Sequence, residues 1–317
     1  KWIDVDKIDA VADVPNSAVA LAVNEILRGS HAAFIASSTA TSDLTGKYCS
    51  PNTIQWTIDT WALAHTIAEH LVRNNSKKWY FIATDNALGK SLVRDASSVV
   101  TGGGGSVVGS VSAPLNSADF SSYLLQADAA DPSAIAFATA GEDLISLIQQ
   151  SNELGIRKDG RKFAALLTTI NDIHVAGLSL AHGLVISLPF YWDMNDATRA
   201  WTKRFSAAEH GRVPTAFQAG VYSSVLAYLK SAIAAGSNDG AVVIAKMKTN
   251  PIHDALFGDV VIRPDGRAIH DMYLFAAKEP QASKGPWDLL EKIGVFSAQD
   301  AFRPLAQGAC MLVEAKH

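Results

Sequence analysis

Trp79-Tyr80-Phe81-Ile82-Ala83-Thr84 followed by Asp85-Asn86-Ala87-Leu88-Gly89-Lys90-Ser91 decides the fold. An unbroken apolar block stops at a polar turn and gives way to helix-period residues from Leu88 to Val100. A strand with no polar alternation is expected where helices cover both faces of a sheet, so this is one βα unit of a parallel layer. The same alternation recurs outward in both directions. Strands are predicted at His31–Ala36, Ser106–Ser112, Ala134–Thr139, Phe163–Leu167 and Leu184–Leu188. Helices are predicted at Ser17–Arg28, Asp59–Arg73, Asp119–Ala129, Glu142–Glu153 and Ala197–His210. Repeated βα units imply an α/β fold with parallel sheets.

After Pro214 the series breaks. Two helices follow in succession, Ala216–Ala235 and Gly240–Met247, then a hairpin turn at Arg263-Pro264-Asp265-Gly266-Arg267, a strand at Met272–Ala277 and a Pro-interrupted tail. Pro-Asp-Gly fixes such a turn because proline presets φ and glycine accepts positive φ. At 317 residues the chain exceeds one ordinary core and suits two lobes, with strand crossings expected near Thr84-Asp85, Pro214-Ala216 and Ile269-Met272. The first lobe is expected to hold 1–84 and 216–268, the second 85–215 and 269–282, with 283–317 returning to the first.

Composition narrows the function. A net charge of -4 with 18% charged residues gives no electrostatic reason for nucleic acid or an anionic membrane. No run of about 18 apolar residues occurs, so no transmembrane helix is expected. Gly89-Lys90-Ser91 has the setting of a phosphate loop, yet position 84, where the motif needs glycine, is Thr. Gly102–Gly105 follows a helix and precedes a strand, the reverse of a dinucleotide fingerprint, and reads as a helix end. His65 and His70 are five apart, off one helix face, and neither HExxH nor GxSxG occurs. No cofactor, metal or catalytic residue is indicated. Cys49 and Cys310 are either two unrelated buried thiols or one disulfide. The turns around Cys49 favour exposure and incline the reading to a disulfide, which needs an oxidising compartment.

Ligands of open parallel sheets bind beyond the carboxyl ends of strands. There, after the strand 31–36, stands Ser37-Ser38-Thr39-Ala40-Thr41-Ser42-Asp43-Leu44-Thr45, dense in hydroxyls and without positive charge, suited to holding a carboxylate by neutral hydrogen bonds. The preceding loop, Val14-Pro15-Asn16-Ser17, opens a helix with Asn16 or Ser17 as its cap.

Those two loops, with Ala83-Thr84-Asp85-Asn86-Ala87-Leu88-Gly89, Phe190-Tyr191-Trp192-Asp193, Pro214-Thr215-Ala216-Phe217-Gln218 and the turn 263–267, resemble the branched-chain amino acid-binding family. These are type I periplasmic solute receptors of ABC transporters, and the likeness is to a subgroup often taking aromatic acids or other small carboxylates. The resemblance implies two Rossmann-like lobes joined by a multi-strand hinge that closes over a ligand. It also implies a periplasmic monomer partnered by a membrane permease. Its implied ligand contacts are Asn16, Ser17, Ser37, Ser38, Thr39, Ala40 and Thr41 from the first lobe, and Ala140 and Gly141 after a strand of the second. Tyr191 would lie against the ligand's side chain, and Trp61 and Gln218 are weaker candidates that serve equally well as packing residues. Family members begin with a further βα unit or two, so those units and any leader are expected to lie outside the given sequence. Rival readings are a ligand-sensing receptor domain of the same fold and an α/β hydrolase.

Overall fold

The computed structural model describes residues 1–158, 160–249 and 251–314. From the N-terminus, β1 (Ala10–Ala12), α1 (Ser17–Leu27), β2 (Ala33–Ala36) and β3 (Thr53–Gln55) come first. The three strands form a parallel sheet in the order β1-β2-β3, with Val11 opposite Phe34 and Ile35 opposite Ile54. All four residues of β2 are buried, as befits the middle strand of a covered parallel sheet.

Next run α2 (Thr60–Arg73), β4 (Lys78–Thr84), α3 (Ala87–Gly102), β5 (Ser106–Ala113), α4 (Ser121–Ala129), β6 (Ala134–Ala138), α5 (Glu142–Glu153), β7 (Lys162–Ala165), α6 (Ile170–Ala176), α7 (Leu178–Ala181) and β8 (Val185–Leu188). Beyond them lie α8 (Asp196–Ala208), α9 (Ala216–Ala235), α10 (Gly240–Met247), β9 (Ile252–Asp254), β10 (Gly258–Ile262), β11 (Ala268–Ile269), β12 (Met272–Ala277) and β13 (Leu290–Phe296).

The chain divides into two compact units. The first holds 1–59, 189–271 and 297 onward; the second holds 60–188 and 272–296. In the first unit, α10 packs closely on β2: a Cβ on Gly240 would lie 2.4 Å from the Ala33 nitrogen. A small antiparallel sheet, β11-β10-β9, carries the 263–267 turn, where Gly266 at φ +87° takes the conformation that glycine tolerates.

The second unit is a seven-stranded sheet in the order β13-β12-β8-β7-β6-β4-β5. Five strands are parallel; β12 joins antiparallel to β8, and β13 antiparallel to β12. Trp79, Phe81 and Phe137 fill its interior, and Trp79 donates its indole N–H to the Ser76 carbonyl at 2.7 Å. Gly89 has a packing reason unrelated to phosphate, since a Cβ there would sit 2.1 Å from the Thr84 carbonyl oxygen.

The observed division differs from the expected one. Residues 60–84 go with the second unit because β4 is hydrogen-bonded between β5 and β6. Residues 189–215 go with the first, where Phe190 packs on Phe257 and Trp201 on Tyr222. The stretch 290–296, expected in a returning tail, is the edge strand β13; only from Ser297 does the chain rejoin the first unit, and 315–317 lie outside the described residues. The chain passes between units at Asp59–Thr60, Leu188–Pro189, Asp271–Met272 and Phe296–Ser297, while Thr84-Asp85 and Pro214-Ala216 lie within units. Cys49 is not exposed as its turns suggested. It is buried and bonded to Cys310, with Cα atoms 5.7 Å apart.

Candidate functional site

β1 and β2 are parallel neighbours, so the loops leaving their carboxyl ends lie side by side. The first of these turns sharply: Asp13 and Val14 both take positive φ, +75° and +59°. Asn16 then caps α1, its Oδ1 accepting from the Ala18 and Val19 N–H groups at 3.0 Å each. Ser17, the first residue of α1, is buried, and its hydroxyl has no hydrogen-bond partner among the described residues.

The second loop, Ser37 to Thr41, is buried throughout. Its hydroxyls do not project as a donor surface. Ser37 bonds the Ile35 carbonyl at 3.3 Å and the Ser224 hydroxyl at 3.1 Å. Ser38 donates to the Asp13 carboxylate. Thr39 donates to the Val14 carbonyl at 2.7 Å. The Thr41 hydroxyl accepts from the Asp43 N–H at 3.3 Å, capping a short 3-10 turn. Behind the loop, the Gln55 amide donates to the carbonyls of Thr39 and Thr41 at 2.9 and 3.1 Å. The loop's hydroxyls and the carbonyls of Thr39 and Thr41 are therefore engaged within the protein.

The loop's amides are not. Among the described residues, the backbone N–H groups of Ser37, Ser38, Thr39 and Ala40 have no protein acceptor. Buried backbone donors are nearly always paired, so four successive unpaired ones mark a place where a ligand supplies the acceptors. With the Ser17 hydroxyl and the positive end of α1, they form a donor array suited to a carboxylate. Sequence reasoning found this loop by its hydroxyls, whereas the structure offers its amides. It missed Asp13, which follows a strand too short to show periodicity.

The other expected contacts are placed as follows. Tyr191 is 6% exposed in the first unit, with its ring centroid 5.9 Å from that of Trp192. Gln218 forms a reciprocal cap with Thr215: its Oε1 accepts from the Thr215 N–H at 2.8 Å, and its N–H donates to the Thr215 hydroxyl at 3.3 Å. That engagement gives Gln218 a structural task at the start of α9. In the second unit, Gly141 precedes α5 at φ +63°, next to Ala140, and a Cβ there would meet open space. Trp61, in the first turn of α2, stacks on His65 at 6.0 Å, and the indole nitrogen of Trp61 has no hydrogen-bond partner among the described residues.

The remaining features draw less chemistry. An apolar groove of about 440 Å³ lies between residues 1–8 and the outer face of α1, lined by Trp2, Ile3, Val23 and Ile26. It lacks the hydroxyls and free amides of the 13–17 and 37–41 loops. Among the described residues no group of three His, Cys, Asp or Glu side chains is placed to hold a metal, and no helix is long and apolar enough to cross a membrane.

Residues 1–285 match the family model described as periplasmic binding protein. Among solved structures the chain is similar to a periplasmic binding protein from Burkholderia mallei. The two are 37% identical over 98% of this chain and 82% of that one, with a TM-score of 0.94. It is also similar to a branched chain amino acid ABC transporter periplasmic ligand-binding protein from Burkholderia xenovorans LB400, at 35% identity, 98% and 83% coverage and TM-score 0.89. A solute binding protein of an ABC transporter from Rhodopseudomonas palustris BisB5, solved with 3,4-dihydroxy benzoic acid, shares the fold: 21% identity, 94% and 81% coverage, TM-score 0.82. No curated protein matches.

Proposed function

Because the chain belongs to the periplasmic binding protein family of ABC transporters, we propose that it captures a small carboxylate, an aromatic acid or an amino acid, and delivers it to a membrane permease. The family implies a periplasmic location. In this reading the protein acts as a monomer, uses no cofactor and turns over no substrate. The ligand's carboxylate lies against the amides of Ser37–Ala40 and the Ser17 hydroxyl. Residues of the second unit, with Ala140 and Gly141 foremost, contribute when the lobes close. Closure stores no chemistry: contacts made to both lobes favour the closed form over the open one.

The observation that carries this reading is the run of buried, unpaired amides beside the unpartnered Ser17 hydroxyl. The ligands of relatives support the chemical class. Structural neighbours from R. palustris were solved with 3,4-dihydroxy benzoic acid and with benzoate, and the B. xenovorans relative is described as a branched chain amino acid ABC transporter periplasmic ligand-binding protein.

Titration calorimetry with benzoates and branched-chain or aromatic amino acids tests the proposal, with Ser17→Ala as the informative variant. The Ser17 hydroxyl has no partner among the described residues, so its loss leaves the stability of the free protein unchanged or slightly higher. Against a bound carboxylate the same loss costs about 1–3 kcal/mol, a Kd weaker by about 5- to 150-fold. A Ser17→Ala protein with wild-type affinity for every bound carboxylate would remove the α1 end from the site.

A further inference from the structure

Asp13 has no counterpart in the donor array around it. It leaves β1 at φ +75°, is half-buried, and accepts the Ser38 hydroxyl at the head of the carboxylate-holding loop. Among the described residues no Lys, Arg or His forms an ion pair with it. No basic residue occurs between Asp9 and Asn24 or between Ala32 and Gly46, so neither loop can supply one. The acid that follows the second loop, Asp43, is matched by Lys47 at 3.5 Å.

A bare carboxylate bound to the Ser38–Ala40 amides would therefore sit close to a second, unneutralised carboxylate. Like charges that close repel one another, more so once water is excluded. A ligand carrying a protonated amine beside its carboxylate removes the conflict: the carboxylate takes the amides and the ammonium takes Asp13.

We propose that Asp13 is a specificity-determining residue, accepting a cationic amine next to the ligand's carboxylate, so that the site prefers zwitterionic ligands to simple acids. The inference rests on the carboxylate site proposed above. It assigns a role to a residue outside the hydroxyl loop, and selects within the carboxylate class.

Asp13→Asn isolates the charge. Asparagine tolerates positive φ and its amide oxygen still accepts from Ser38, so the turn and the hydroxyl's partner are kept. Affinities are measured at pH 7 for a panel of α-amino acids and their des-amino counterparts, such as phenylalanine with 3-phenylpropanoate and leucine with 4-methylpentanoate, together with benzoate and 4-hydroxybenzoate. The expected result is that the wild type binds at least one amine-bearing member tenfold or more tighter than its counterpart. Asp13→Asn then weakens that amino acid at least tenfold while the des-amino acid binds as well or better. Ser38→Ala, which keeps the Asp13 charge, shifts both members alike and leaves their ratio standing.

If Asp13 only orients Ser38, Asp13→Asn leaves the amine preference intact or weakens both members equally, and the proposal falls. It falls equally if benzoates or des-amino acids bind the wild type best, although the carboxylate site itself then survives. If nothing in the panel binds, both the carboxylate reading and the role of Asp13 are overturned.

Discussion

Arg267 and His270 are two cation-forming side chains with no exposure to solvent, both in the first unit. The Arg267 guanidinium meets Asp59 at 2.7 Å, donates to the Gln55 carbonyl and stacks 4.3 Å from the Phe302 ring. Burial lowers its pKa to about 10, with Asp59 pulling the other way, so it stays charged at neutral pH. Removing the partner strands a buried charge: Asp59→Asn should destabilise the protein by about 3–5 kcal/mol in urea unfolding. A loss below about 1 kcal/mol would mean that water reaches Arg267. His270 is the opposite case. Its Nδ1 faces the Asp271 carbonyl at 3.0 Å and its Nε2 the Trp56 carbonyl at 3.1 Å, yet burial and then Arg267 lower its pKa to about 4. The folded ring is neutral at pH 5 while the unfolded one, near 6.5, takes up a proton. Stability from this residue is therefore complete above pH 6.5 and lost as the pH falls towards 4, by roughly 3 kcal/mol at most. His270→Gln should flatten that segment of the stability–pH curve; an unchanged slope would assign the loss to other groups. Neither residue could be picked out in advance. His270 looks like any of the nine scattered histidines, and Arg267 reads as part of an exposed Pro-Asp-Gly turn until Phe302 and Asp59 close over it.

Elements with their own local signal were legible. α5, α9, α10 and β12 run over the ranges expected from periodicity and flanking residues. α9 shows why, with Thr215 and Gln218 capping each other at its start and Gly236 ending it in the left-handed conformation. β1 and β3, three residues each, carry no period, and β13 (Leu-Glu-Lys-Ile-Gly-Val-Phe) alternates only weakly on the sheet's edge. The hydroxyl loop was legible as a place but not as a chemistry. Serine and threonine serve a ligand or their own backbone equally well, and here Ser37 and Thr39 are drawn to the carbonyls of Ile35 and Val14. The C-terminal segment shows a long-range element of the same kind. Arg303 donates to the Ser42 carbonyl at 3.0 Å, Arg263 to the Arg303 carbonyl at 2.7 Å, and the Cys49–Cys310 bond fastens the segment beside the loop. The closed loop spans 261 positions, so removing the bond with Cys49→Ser and Cys310→Ser should cost about 2–5 kcal/mol. Reductant should lower the wild-type Tm and leave the double variant's unchanged. A wild-type Tm indifferent to complete reduction would show that the hydrogen bonds alone hold the segment.

At the scale of the whole molecule the two-unit plan was legible and its boundaries were not. Length and repeated βα alternation dictate more than one core, but which strand joins which sheet depends on pairing partners distant in sequence. β4 follows α2 without any compositional break, yet it pairs with β5 and β6. Each unit has its own sheet and its own buried core, so calorimetry of the ligand-free protein should resolve two unfolding components. A ligand at one hundred times its Kd stabilises what it binds by about 2.7 kcal/mol. If the ligand is gripped only by the amides of Ser37–Ala40 and Ser17, saturation raises the component of the first unit alone. If Ala140 and Gly141 of the second unit share the grip, as proposed, the second component must also rise, and the two should merge into one cooperative transition. Assigning the components is direct, because reduction of Cys49–Cys310 lowers only the first. Saturating ligand that shifts the reduction-sensitive component and leaves the other in place would confine binding to the first unit and end the two-lobed capture mechanism.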